Sequence, residues 1–156
     1  MKKFCVTAVS TAVFVSTACA EEPWVTPSVF KQAIVKVYDG ASDGCWTNIG
    51  ESKRYAEDQF KLAAFNVVED YSSETLSLGD AEISVLVSSE RFGSGCYGSL
   101  RVEVRTSLYF ALADTYVLGN VGAPLGQDFN GYDNANLIAL NAIKDHAENW
   151  PYRSDQ

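Results

Sequence analysis

Two short stretches constrain this chain more than any others: Gly44-Cys45-Trp46-Thr47-Asn48 and Gly95-Cys96-Tyr97-Gly98. Each places a glycine-flanked cysteine before a large aromatic, where a loop hands over to regular structure. Their meaning depends on the compartment, and the N-terminus speaks to that. Met1-Lys2-Lys3 is a basic start, Phe4 to Val15 is mostly apolar or small, and Ala18-Cys19-Ala20 offers small residues at the −3 and −1 positions of a signal-peptidase site. The apolar run is well under the ~20 residues that a membrane-spanning helix needs. Residues 1–20 are therefore expected to be a signal peptide, with a mature start at Glu21. Lipid anchoring through Cys19 is the alternative. Against it, Ser16 stands three residues before the cysteine, where a lipobox usually carries a bulky aliphatic. The leader has a bacterial look, so the expected location is periplasmic or secreted.

Cys5 and Cys19 leave with the signal, and the mature chain keeps Cys45 and Cys96. In an oxidising compartment such a pair is most simply one disulfide. A bridge closing a loop of about fifty residues restricts the unfolded chain and contributes about 4 kcal/mol. Two free buried thiols are the alternative. A zinc site wants four ligands, and the only histidine is His146. Neither a metal nor a cofactor is expected.

The 136 residues beyond the leader (156 less 20) suit one domain, expected over 30–151, with an extended lead-in at 21–29 and a tail at 152–156. The leader removes Lys2 and Lys3 from the 12 basic residues and none of the 20 acids, leaving a net charge of −10. That balance argues against nucleic acid and anionic membranes, which want basic patches. No transmembrane segment is expected after cleavage.

Residues 30–38 alternate as a strand, with Ala33, Val35 and Val37 on one face. Asn48 and Glu51 have the form of a capping box, and a helix is expected from 49 to 64 with Tyr55, Ala56, Phe60, Ala63 and Ala64 on its buried stripe. Residues 65–70 read as a short strand or as the helix end. Residues 82–89 and 100–107 are strands; in the second, Leu100, Val102, Val104 and Thr106 alternate with Arg101, Glu103, Arg105 and Ser107. A further strand is expected near 115–118, then a loop over 119–131. A last helix covers 134–149, with Leu137, Leu140, Ile143, Ala147 and Trp150 facing the core. The order β-α-(β)-β-β-β-α predicts an α+β two-layer sandwich: a mainly antiparallel sheet of four to five strands with two helices on one face, and one disulfide. This order resembles the small α/β accessory domains common among bacterial envelope proteins, in outline only, and brings no functional residues with it.

No constellation carries chemistry, so no catalytic residue is assigned and an enzyme is not expected. His146 stands beside Asp145 and Glu148 without a nucleophile motif, and reads as a solvated or boundary residue. Asp128 to Asp133 has oxygen ligands and a glycine but not EF-hand spacing, which leaves Asp133 as a helix cap. Glu69, Asp70, Glu74, Asp80 and Glu82 read as a solvated acidic rim rather than as a catalytic carboxylate pair. Trp46 and Tyr97 would lie together if the bridge forms; they pack over it or make an exposed partner-binding pair. The expectation is an exported, non-enzymatic domain that binds another envelope or secreted protein, as an inhibitor or immunity-type partner in one version. A small periplasmic hydrolase using clustered acids or His146, and a carrier of a small apolar ligand, are the alternatives.

Overall fold

A computed structural model describes residues 25–69 and 76–150. A 3-10 turn, Pro27–Val29, leads into β1 (Ala33–Ala41), α1 (Ile49–Leu62), β2 (Ala81–Phe92), β3 (Gly95–Phe110), β4 (Thr115–Asn120), β5 (Leu125–Tyr132) and α2 (Asn136–Glu148). The expected α+β class, the sheet and the single disulfide are all present.

β1 and β2 pair in parallel, from Ala33 opposite Ala81 to Ala41 opposite Ser89. Parallel neighbours need a crossover, and α1 supplies it. β2 turns tightly through Gly93, at φ +61°, into the antiparallel β3. The far edge of β3 carries two strands end to end: β4 against Arg105–Phe110 and β5 against Cys96–Val102. Between them the chain keeps one rung, Val121 N donating to Val104 O at 2.8 Å, and bends at Gly122, φ +78°.

The period of two sorts the sheet residues. Val35, Ile83, Val85, Val87, Leu100, Val102 and Val104 face the helices and are buried against Ala56 and Phe60 of α1 and Ala139, Ala142 and Ile143 of α2. Each such Val, Ile or Leu contributes roughly 1.5–3 kcal/mol of burial. The opposite face carries Ile34, Lys36, Tyr38, Glu82, Ser84, Arg101, Glu103 and Arg105.

Several expectations are corrected. Of the stretch 65–70, expected as a short strand or the helix end, the described residues 65–69 hold an isolated bridge, Val67 beside Ala33, and α1 has already ended at Leu62. The glycine-rich segment expected as a loop contains β5. Only Phe129 of β5 is fully buried, so an edge position tolerates residues that an inner strand would not. Asn48 caps α1 without a side-chain bond to its backbone: Asn48 Nδ2 donates to Glu51 Oε2 at 3.3 Å, and Ser52 Oγ donates to Asn48 Oδ1 at 3.3 Å. Ala135, not Asp133, precedes α2, and Leu137 is 67% exposed while Ile138 and Ala139 turn inward. The signal peptide expected at 1–20 lies outside the described residues, and no described helix is long and apolar enough to cross a membrane.

Candidate functional site

Cys45 and Cys96 are bonded, with Cα atoms 5.7 Å apart. Around the bridge the loops are stitched together by backbone and polar contacts. Ala135 N donates to Cys45 O at 2.7 Å, and Asn136 accepts from Thr47 N at 3.0 Å through Oδ1 and donates to Thr47 Oγ1 at 2.8 Å through Nδ2. Arg91, at the end of β2, donates to Asp43 O at 3.1 Å and to Asp133 O at 3.0 Å, tying two loops with one guanidinium.

The aromatic pair expected here does not form. Cys96 points to the helix side, so Tyr97, one residue on, points to the other face. Trp46 joins the core at 4% exposure, whereas Tyr97 is 45% exposed and packs edge-on against Phe92, ring centres 6.4 Å apart. Of the two candidate contact residues, only Tyr97 is at the surface.

His146 is fully buried rather than solvated, with Phe60 and Trp150 rings 6.0 and 5.8 Å from its own. Burial disfavours the imidazolium and pulls its pKa down to about 4. The acidic rim is also corrected: Asp80 and Glu82 are buried, Glu69 is exposed, and Asp70 and Glu74 lie outside the described residues. Asp128 to Tyr132 belongs to β5, and no group of three potential metal ligands occurs among the described residues.

Glu82 centres a polar cluster on the open face. Oε1 accepts from Tyr38 OH at 2.9 Å, from Ser84 Oγ at 2.8 Å and from Arg105 Nη2, while Lys36 Nζ stands 3.0 Å from Oε2. Arg105 lies over the Tyr38 ring at 5.5 Å and, 3.6 Å from Glu103 Oε1, joins Glu103 to the group, while Asn120 Nδ2 donates to Glu103 Oε2 at 3.2 Å. Burial alone would raise the Glu82 pKa, but the donors from Ser84, Arg105, Lys36 and Tyr38 outweigh it and hold the carboxyl at about 2. A carboxyl held this low stays charged near neutral pH and is a weak base for a substrate proton. Beside it opens a shallow cleft of about 470 Å³, with Leu86, Ser107 and Leu118 on its walls.

Beyond this cluster the sheet narrows to two strands. Ser107–Phe110 of β3 and Thr115–Leu118 of β4 form an arm, closed by a turn in which Ala113 N donates to Phe110 O at 3.1 Å. Leu108, Tyr109, Phe110, Leu112, Tyr116, Val117 and Leu118 are all exposed, from 43% at Leu108 and Val117 to 92% at Leu112. Tyr109 and Tyr116 meet on the open face, centroids 5.4 Å apart, while Leu108 and Val117 pair on the other. The arm's one ionisable acid, Asp114, accepts from Tyr109 OH at 2.6 Å. Sequence reasoning passed over this feature. Its signal was present in the two consecutive apolar triplets, Leu108-Tyr109-Phe110 and Tyr116-Val117-Leu118, which abandon the alternation that β3 keeps up to Thr106.

No protein-family model matches the chain, and no curated protein matches it. Among solved structures, the PelC dodecamer from Paraburkholderia phytofirmans aligns at a TM-score of 0.45 with 13% identity, over 85% of this chain and 94% of that one. A point variant of the same dodecamer aligns at 0.44 with 12% identity, over 86% and 93%. A structure described as an uncharacterized protein aligns at 0.35 with 10% identity, over 81% and 94%. Likeness at this level carries no functional argument.

Proposed function

We propose that this chain is an exported, non-catalytic protein-binding domain of the bacterial periplasm or envelope, and that its partner docks on the β3–β4 arm. One observation carries the reading: seven large apolar side chains stand exposed on twelve consecutive residues, 107–118, with a single ionisable acid among them. Contiguous apolar surface of this kind marks interaction sites, and a bare two-stranded ribbon gains little stability of its own in water. The Cys45–Cys96 bridge and the basic-apolar leader support export. The low pKa of Glu82, which makes it a weak base, and the burial of His146 favour binding over hydrolysis. The close-packed valine layer under the helices favours it over an apolar carrier. The arm is apolar rather than acidic, so recognition through it rests on shape and burial, not on selection of a basic partner.

Photo-cross-linking in cells tests this. A photoreactive residue at Leu112 should capture protein, whereas one at Leu62, exposed at 81% on α1, should not. Equal capture from both positions, or none from Leu112, overturns the assignment of the arm.

A further inference from the structure

We infer that the partner seated on the arm is a second copy of this chain, paired edge to edge through β4. The inference rests on the reading of the arm as a protein-docking surface. Among the described residues no strand lies on the outer edge of β4, and β2 begins opposite Thr106, so Ser107–Phe110 lack a neighbour on their far side as well. The rung from Val121 N to Val104 O points that residue inward. Alternation along an antiparallel strand then turns the N–H and C=O groups of Tyr116 and Leu118 outward.

Natural edges are blunted with Lys, Pro or inward charges, because an open edge templates pairing. Between Ser107 and Asn120 there is no Lys, Arg, Glu or Pro. A lipid occupant is disfavoured on the same ground: a ribbon with both edges open leaves backbone groups unsatisfied in hydrocarbon.

Two features favour a second copy over an unrelated protein. An antiparallel edge is complementary to itself under a two-fold axis, so β4 meeting β4 matches donors to acceptors and extends the sheet across both chains. Charge points the same way. The chain carries a net −8, so copies repel over most of their surface, and the arm, with only Asp114, is where two acidic copies meet at least cost.

Sedimentation velocity of the purified, disulfide-bonded protein tests the inference. The expected result is a species of twice the chain mass that strengthens as salt is raised, because screening relieves repulsion between like-charged copies. Two variants attack the edge: Leu118→Pro removes an outward donor without taking a rung from β3, and Tyr116→Glu sets like charges against each other. Both positions are exposed, 49% and 56%, so melting temperature and the disulfide should be retained. Each should weaken association by about tenfold or more. Tyr97→Ser, away from the arm, should leave it unchanged. A single-copy mass at every concentration, or dimers that survive both edge variants, overturns the inference. If Leu112 then still cross-links a different protein in cells, the arm remains a docking site and only the second copy falls; if it captures nothing, both readings fall.

Discussion

The two ends of β3 are held in opposite ways. At the Cys96 end the strand is bonded covalently to the loop before α1, flanked by β2 and β5, and overlain by loops that Arg91 ties down. At the Phe110 end, roughly 50 Å away for a 16-residue strand, it has one neighbour among the described residues, and its large side chains are exposed. Between them lies the Glu82 cluster, at the root of the arm. One end is built to stay closed, and the other has a surface to offer. A scaffold fixed at one end can carry a weakly held binding element at the other without losing its fold.

The largest test of that contrast removes the covalent tie. Replacing both Cys45 and Cys96 by Ser frees a loop with a sequence separation of 51 and should cost about 4 kcal/mol in urea unfolding followed by far-UV circular dichroism. A loss below about 1 kcal/mol would mean that packing and Arg91 hold this end without the bridge.

Acid should act on the other end. Phe65 stacks on Phe30 and meets Trp150 edge-on, Trp150 meets His146, and Val67 bridges Ala33, which pairs with Ala81 opposite Thr106. These contacts join His146 to the Ala33–Ala81–Thr106 end of the sheet. Its folded pKa, about 4, lies below the ordinary 6.5, so the unfolded chain binds the proton first. Stability from this group is complete above pH 6.5 and drains away as pH falls towards 4, by on the order of 3 kcal/mol. Glu82, held at about 2 against an ordinary 4.5, adds a second loss of similar size below pH 4.5. Unfolding midpoints measured against pH should show both windows. His146→Phe should flatten the upper one, and Glu82→Gln the lower. A profile of His146→Phe still sloping between pH 6.5 and 4 would detach the effect from His146.

An intermediate effect belongs to the tied end. A Cβ on Gly98 would clash with Ser88 O and lie 2.5 Å from Ser89 Cβ, on the neighbouring strand. Gly98→Ala must therefore push β2 and β3 apart beside the bridge, at a cost of about 2 kcal/mol in the same unfolding assay. A neutral result would show that the strands can yield here, and that the tied end is less rigid than its contacts imply.

How much of this was legible in sequence differs between the two ends for a physical reason. The Cys96 end announces itself: a pair of glycine-flanked cysteines, glycines where the chain bends, and strict alternation from Leu100 to Thr106. Local signals suffice wherever one face is dry and the other wet. The arm lacks that asymmetry, because residues such as Leu108 and Tyr109 are apolar on both faces. β5 was obscured by Gly126 and Gly131, which an edge strand tolerates. Glu82 read as part of a solvated acidic rim because its four donors come from β1, β2 and β3, and only the register brings them together. Trp46 and Tyr97 were paired by their spacing from the cysteines, whereas the alternation of β3 sends them to opposite sides.

The smallest expected effect is the sharpest probe of the arm. Leu112 is 92% exposed, so Leu112→Ser removes almost no buried area, and stability should move by less than about 0.5 kcal/mol. Amide exchange supplies the matching local measurement. In protein dilute enough to keep copies apart, amides of Leu108 to Leu118 should open far below the global unfolding free energy, while those of Val87 and Leu100, under the helices, should open only with it. At concentrations where the arm is covered, the same amides should slow, and in the Leu118→Pro variant they should not. An arm protected as well as Leu100 in dilute wild type would show that the ribbon is stable unaided, and the contrast between the two ends of β3 would then be one of exposure rather than of stability.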